Sequence, residues 1–338
     1  MESVMTQNLR IGMFGSGRIG IVHAGSIADT QGAELTWVCD PMLESAEKLA
    51  AQYGAKATAN PDDIFNASDV DAILIASPTP THVDFIDRGI DAGFHIMCEK
   101  PIDLDIARVD SLRAKANGAN VKIALGFNRR FHPQFETMNK RVKAGEIGNL
   151  EQLVILSRDP APAPQAYIAV SGGIFRDMTI HDFDMARYFV PNIVEVTAVG
   201  ANVFCDYIKE ENDYDSVNVT LRGSNGELIT IVNSRHSSYG YDQRLEAFGS
   251  DGMLYAKNVA PTTVEHYSAT HTEQREPYLN FFLELYASSY RRELALFVES
   301  VRTGEMLNPT FEDGRAALVL ADAALQSART GQTIKVSL

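Results

Sequence analysis

The chain has 338 residues, enough for more than one domain, and 45% of them are apolar, which excludes general disorder and supports substantial cores. Its 30 basic and 44 acidic residues leave a formal charge of −14, which disfavours nonspecific attachment to nucleic acid or to an anionic membrane surface. Cys39, Cys98 and Cys205 are widely spaced with no CxxC pair, so they read as buried thiols of a reducing compartment, and no disulfide scaffold or metal site is expected. No stretch approaches a membrane-spanning run, no basic-then-apolar signal pattern is present, and a cytoplasmic location is the expectation.

The first predicted element is a short apolar strand ending at Phe14, followed by Gly15-Ser16-Gly17-Arg18-Ile19-Gly20 and a helix through Ala28. In such a turn the first glycine allows the tight bend, the second lets backbone approach a pyrophosphate, and the third lets helix and sheet pack closely. The phosphates would lie on unpaired N–H groups at the positive end of the helix dipole. Gly15, Gly17, Arg18 and Ile19 are the candidate contacts, and a purely structural glycine turn is the alternative. A second strand, Glu34 to Cys39, ends at Asp40, twenty residues past Gly20, where a carboxylate can accept hydrogen bonds from an adenosine ribose.

A helix from Pro41 to Ala51 and a short one from Asp62 precede a buried strand, Val70 to Ala76. That strand stops at Ser77-Pro78-Thr79-Pro80-Thr81-His82, because two prolines prevent a regular element from continuing. Ser77, Thr79 and His82 are candidates for touching the dinucleotide, although His82 and His95 also read as structural residues. Next come a helix from Val83 to Ala92, a strand from Phe94 to Cys98, Glu99-Lys100-Pro101, a helix from Ile102 to Ala116 and a strand from Val121 to Leu125. Short apolar strands alternating with helices predict an α/β fold with a doubly wound parallel sheet, over residues 1–126.

Residues 127–338 change pattern and are expected to form a second α/β domain. A helix from Phe131 to Ala144 leads to strands over Leu150–Ser157, Val194–Cys205, Asp215–Leu221, Gly226–Ser234, Arg244–Gly249 and Gly252–Ala256. Asn225-Gly226 and Asp251-Gly252 are turn signals, and alternation such as Ser216-Val217-Asn218-Val219-Thr220-Leu221 predicts a large, mostly antiparallel open sheet with a wetter face. Asp159-Pro160-Ala161-Pro162-Ala163-Pro164 is a rigid loop near a cleft or an interface. Helices from Tyr278 to Arg302 and from Phe311 to Arg329 close the chain.

Three segments compete for chemistry. Lys100 follows a strand of the parallel sheet, at the carboxyl end where ligands bind in open α/β folds, and a lysine there can polarise a substrate oxygen. If the stretch from Asp177 is helical, spacings of four and three residues put Asp177, His181 and Asp184 on one face. A histidine between carboxylates suits a general base; a polar helix surface and a hard-metal site are the other readings. Finally, Phe127-Asn128-Arg129-Arg130-Phe131-His132 and Arg235-His236-Ser237-Ser238-Tyr239-Gly240-Tyr241-Asp242 could orient a polyol, bind phosphate or stabilise a subunit contact.

Taken together, the glycine turn, Glu99-Lys100-Pro101, Gly172-Gly173…Asp177…His181 and Ser234 to Asp242 resemble the glucose-fructose oxidoreductase / inositol dehydrogenase family. The stretches Ser157-Arg158-Asp159-Pro160 and Asp177 to Asp184 look most like its inositol 2-dehydrogenase branch. The resemblance implies a Rossmann domain with NAD, Glu99 and Lys100 among the cofactor contacts, and an open-sheet domain that forms subunit contacts in a homotetramer. It implies catalytic roles for Lys100, Asp177 and His181, and contacts to a small cyclic polyol from these three with Arg130, Asp159, Tyr239 and Tyr241. The carboxylate of Asp40 favours NAD over NADP, because a 2′-phosphate would meet like charge. The implied reaction is oxidation of myo-inositol to scyllo-inosose (2-keto-myo-inositol). Another inositol isomer or an aldose is the nearest alternative, and a dinucleotide-binding sensor without turnover is the alternative of a different class.

Overall fold

The computed structural model describes residues 8–305 and 308–338. It divides into two compact units, one running to Phe131 and taking in Ser288–Arg315, the other His132–Ala287 with Ala316–Leu338.

In the first unit, strands β1 (Leu9–Phe14), β2 (Ala33–Cys39), β3 (Lys56–Thr58), β4 (Ala72–Ile75), β5 (His95–Cys98) and β6 (Ile123–Leu125) alternate with helices α1 (Arg18–Asp29), α2 (Leu43–Tyr53), α3 (Pro61–Phe65), α4 (His82–Asp91) and α5 (Ile106–Asn117). The strands pair in parallel in the order β3-β2-β1-β4-β5-β6, the doubly wound arrangement expected of the apolar runs. Central strands buried on both faces need covering on both sides, so Ile11, Met13, Val38 and Leu74 pack with Ala24 and Ile27 of α1 and Leu49 of α2. Leu294, Phe297 and Val298, from the helix Ala287–Thr303, join the same core. Through this apolar face residues 288–315 group with the first unit, in addition to the expected stretch 1–126. Helix α5 begins at Ile106 where Ile102 was expected, since Asp105 caps it by accepting the Ala107 N–H at 2.9 Å.

The second unit holds α6 (Pro133–Lys143), α7 (Gln165–Ile168), α8 (Ile174–Asp177), α9 (Ile180–Phe189), α10 (Asp206–Glu210) and α11 (Phe282–Leu285); α12 (Ala287–Thr303) belongs to the first unit except for its opening residue, and α13 (Phe311–Thr330) is shared between the units. Its strands are β7 (Leu150–Arg158), β8 (Ile193–Ala201), β9 (Ser216–Gly223), β10 (Leu228–Ser234), β11 (Asp242–Gly249), β12 (Gly252–Ala256) and β13 (Ile334–Lys335). They form one sheet in the order β12-β11-β7-β10-β9-β8-β13, antiparallel except for the β7–β10 pair. On β9 Val217, Val219 and Leu221 face the core while Asn218, Thr220 and Arg222 are exposed, so one face of the sheet is open. Strand β8 stops at Ala201, four residues short of the expected end, because the Val203, Phe204 and Cys205 N–H groups turn inward to the carboxylate of Asp215, at 2.9–3.1 Å. Among the described residues no helix is long and apolar enough to cross a membrane.

Candidate active site

The turn after β1 separates the roles of its three glycines. Gly15 has φ +99°, and a Cβ there would lie 2.4 Å from the Ala76 carbonyl oxygen; a Cβ on Gly20 would lie 2.2 Å from that of Gly15. At Gly17 a Cβ would meet nothing within 4 Å, although the residue starts α1. Helix α1 has neither a side-chain cap nor an acidic residue in its first turn, which suits an anion there. Arg18 is exposed and Ile19 half-buried on this first turn. Beside it Asp40 Oδ2 accepts the Ser16 N–H at 2.8 Å and the Ser16 hydroxyl at 2.9 Å, and Oδ1 accepts the Met42 N–H at 2.9 Å. Burial opposes the charge on Asp40, but these donors outweigh it and hold the carboxyl below its ordinary pKa. An open backbone position, a helix start without a side-chain cap and a fixed carboxylate at the end of β2 fit a dinucleotide.

The loop after β4 is braced from within. Ser77 and Thr81 hydroxyls lie 2.6 Å apart, and Thr79 is half-buried in a single turn of 3₁₀ helix. His82 is 1% exposed, its Nδ1 2.8 Å from the Pro101 carbonyl and its Nε2 2.8 Å from that of Ser77. Both ring nitrogens face backbone carbonyls, and the ring ties two loops together, the arrangement of the structural reading of His82.

At the end of β5, Glu99 is likewise engaged by a residue that the sequence did not single out. His23 of α1 is 1% exposed, and its Nε2 lies 2.7 Å from Glu99 Oε1, with the ring edge-on to Tyr290 at 5.5 Å. Burial raises the Glu99 pKa, but the His23 contact and the adjacent Lys100 turn the net shift downward. Glu99 thus stays an anion directly beside Lys100, which is half-buried and whose N–H points to Glu99 Oε2 at 3.3 Å. Arg130 is 6% exposed and donates from Nη2 to Asp313 Oδ1 at 3.1 Å, so its guanidinium is at least partly a structural tie of the first unit.

In the second unit the expected single helix from Asp177 is broken. Asp177 ends the one-turn α8, Met178 and Thr179 intervene, and α9 begins at Ile180. Asp177, His181 and Asp184 consequently do not share one continuous helix face, and Asp184 is 0% exposed. Asp177 Oδ1 accepts the Tyr167 hydroxyl at 2.7 Å, and Oδ2 accepts Arg235 Nη1 at 3.0 Å. Arg235 is 2% exposed and also reaches Asp213 Oδ2 at 3.4 Å, while Asp213 Oδ1 accepts the Ile174 N–H at 2.8 Å. Gly173, at φ +83°, makes room for that carboxylate: a Cβ there would lie 2.9 Å from Asp213 Oδ1. Burial opposes charge on Arg235, yet Asp177 and Asp213 raise its pKa further. Burial and the Asp177 charge raise the Tyr167 phenol far above its ordinary value, so it remains a donor.

His181, half-buried, lies in the first turn of α9, whose position is fixed by the next residue. Asp182 is 0% exposed and accepts the Ser157 hydroxyl of β7 at 2.7 Å and the Asn233 amide of β10 at 2.8 Å. Asp159 is half-buried, and its N–H donates to the Ser234 carbonyl at 2.9 Å. Tyr239 donates its hydroxyl to Asp242 at 2.8 Å and accepts from Arg158 at 2.6 Å. Tyr241 is 5% exposed and packs edge-on to Tyr286 at 6.1 Å, so its ring serves the core. The second unit therefore presents an imidazole on an anchored helix and a carboxylate held by a buried cation, a combination suited to moving a proton from a hydroxyl.

Residues 9–127 match the family model described as "Oxidoreductase family, NAD-binding Rossmann fold", and residues 135–255 match the GFO/IDH/MocA C-terminal domain. The chain is 42% identical to an inositol 2-dehydrogenase of Rhizobium meliloti (strain 1021) over 330 residues, 97% of this chain and 99% of the relative. A solved myo-inositol dehydrogenase of Corynebacterium glutamicum ATCC 13032 is 60% identical with a TM-score of 0.95, covering 98% of this chain and 99% of that one. A scyllo-inositol dehydrogenase of Lactobacillus casei, solved with bound NAD(H) and scyllo-inositol, is 28% identical with a TM-score of 0.89, covering 97% and 99%.

Proposed function

The chain belongs to the GFO/IDH/MocA family of oxidoreductases with an NAD-binding Rossmann domain, and from that premise we infer that it is an inositol 2-dehydrogenase oxidising myo-inositol to scyllo-inosose. The observation that carries the reading is the Asp177 carboxylate, fixed by Arg235 and Tyr167 immediately before the anchored helix that bears His181. Bound NAD supplies the hydride acceptor. His181 takes the proton from the reacting ring hydroxyl, Asp177 orients that unit by hydrogen bonding, and Lys100 stabilises the developing alkoxide. Asp40, fixed as an anion by Ser16 and Met42, selects NAD over NADP. In this reading Asp159, Tyr239, Tyr241 and Arg130 contribute contacts to the ring hydroxyls, with Tyr241 packed on Tyr286 and Arg130 tied to Asp313. The open sheet face carries exposed Val199, Leu228, Phe248, Met253 and Tyr255, and in this reading it is covered in a cytoplasmic homotetramer.

The likeness to a scyllo-inositol dehydrogenase solved with its polyol supports a second reading, in which the scyllo isomer is preferred. Axial and equatorial ring hydroxyls differ in where one hydrogen bond points, which a site demanding that bond can discriminate strongly. The test is the rate of NADH formation with myo-inositol, scyllo-inositol, D-chiro-inositol and D-glucose, each with NAD and NADP. Preference for myo-inositol with NAD is expected, and preference for scyllo-inositol installs the second reading. Turnover of none of them, with NAD still bound, leaves a dinucleotide sensor. His181→Ala is expected to lower turnover while NAD binding stays within about twofold; equal loss of both refutes the role of base.

A further inference from the structure

Arg235 is the largest side chain buried below 2% within the second unit's described core, and a cation there needs an explanation beyond packing. It directly follows β10, at the start of the polar segment that runs to Asp242. Its partners come from two distant parts of the chain: Asp177 ends α8, and Asp213 follows α10. Asp213 is in turn tied to the first N–H of α8 at Ile174, so the guanidinium and the start of the same short helix are held by one carboxylate. The geometry is asymmetric at Asp177. Oδ2 accepts from the buried guanidinium, whereas Oδ1 accepts from the hydroxyl of Tyr167, a residue 48% exposed on the one-turn helix after the proline-rich loop.

We propose that Arg235 is a positioning residue for the oxidation, locking Asp177 Oδ2 so that Oδ1 is aimed at the substrate hydroxyl and the carboxylate stays an acceptor throughout turnover. A four-residue helix cannot hold a catalytic carboxylate by its own backbone, because most of its N–H and C=O groups lack intrahelical partners. The guanidinium supplies the missing constraint from the sheet beneath, with two donors directed at two carboxylates. The Tyr167 hydroxyl, donating to Oδ1, marks the place where an alcohol O–H of the substrate would donate instead.

The proposal rests on the inositol dehydrogenase reading, so the wild-type enzyme is assayed alongside every variant. Saturation curves for myo-inositol at saturating NAD are measured for wild type, Arg235→Lys, Asp177→Asn and Asp177→Asn/Arg235→Lys, with NADH binding followed by fluorescence. Lysine keeps the charge but offers no planar fork, so kcat should fall by about 10- to 100-fold, the scale of a small misplacement of a catalytic group. KM should change less than kcat, and NADH binding should stay within about twofold. If Arg235 acts through Asp177, the double variant is no slower than Asp177→Asn alone, whereas independent effects multiply. Arg235→Met/Asp213→Asn, which leaves no unpaired charge from that second contact, should reproduce the kcat loss in a folded protein. Arg235→Lys with wild-type kcat, or multiplicative losses in the double variant, overturns the proposal while leaving the function standing. A wild type silent on every inositol removes both.

Discussion

Replacing Asp182 tests how the second unit holds the helix that bears His181, the proposed base. Its carboxylate is fully buried and ties α9 to two strands through Ser157 and Asn233, at 2.7 and 2.8 Å. Hydrogen bonds to a charged group contribute about 1.5–3 kcal/mol each, and a buried donor left unsatisfied costs about 1–3 kcal/mol. In Asp182→Ala the Asn233 amide loses this acceptor, while the Ser157 hydroxyl can turn to Gln243 Oε1, 3.1 Å away. Relief of the buried charge offsets part of the loss. A net cost of about 2–3 kcal/mol follows, and at roughly 2–4 °C per kcal/mol for a unit of this size the melting midpoint should drop by about 4–12 °C. Asp182→Asn should fall between, since an amide keeps an acceptor for Ser157 but turns a donor toward Asn233. Circular-dichroism melts of the NAD-free protein give the midpoints, and steady-state assays should show kcat falling with it. A midpoint for Asp182→Ala within about 1 °C of wild type would refute the anchor and assign α9 to its apolar face alone.

Asp40→Ala should raise the NADP-to-NAD ratio of kcat/KM by about tenfold or more, since repulsion between unit charges near 4 Å is about 1–4 kcal/mol at the polarities of a protein surface; an unchanged ratio shows that other contacts choose the cofactor. Burial pushes the His132 imidazole down to about 4, where it packs against Phe135 and Tyr286. Because the unfolded chain takes up that proton near pH 6.5 and the folded chain does not, stability is kept above about pH 6.5 and lost as pH falls toward 4, by about 3 kcal/mol in all. Urea midpoints across this range should therefore flatten in His132→Phe relative to wild type, and parallel pH curves would show that the ring is protonated in place. His23→Leu leaves the Glu99 carboxylate buried without its 2.7 Å partner and should cost about 3 kcal/mol in urea denaturation, partly recovered by adding Glu99→Gln. No recovery would mean that His23 contributes through packing on Tyr290.

The parallel sheet was legible because buried strands read as apolar runs and the glycine turn fixes where the first one ends. The open sheet was legible from alternation, as on β9, but its ends were not: the stop of β8 depends on Asp215, which is remote from Val203 in any local pattern. Strands β3 and β13, of three and two residues, are too short for any period to register. In the candidate site the residue types were readable and their partners were not. A spacing of four residues suggested that Asp177 and His181 share a helix, yet the break at Met178–Thr179 separates them. His23 lay unremarked in the helix after the glycine turn, and Arg235 was one of several polar residues in a segment. What distinguishes both is a carboxylate 76 or 58 positions away, which only the folded chain brings near.

The unequal crowding around the glycine turn makes it possible to separate presence from turnover in a living cell. Gly15 and Gly20 are walled in by backbone, so larger residues there would remove the protein altogether. Gly17 has φ −72° and open space around its missing side chain, so a valine would leave the polypeptide intact and obstruct only what comes to rest against it. Such a chain would accumulate and be recognised by antibodies as its parent is, yet remain blind to the coenzyme. Any phenotype that survives the exchange then belongs to the protein as an object, and any that disappears belongs to its chemistry.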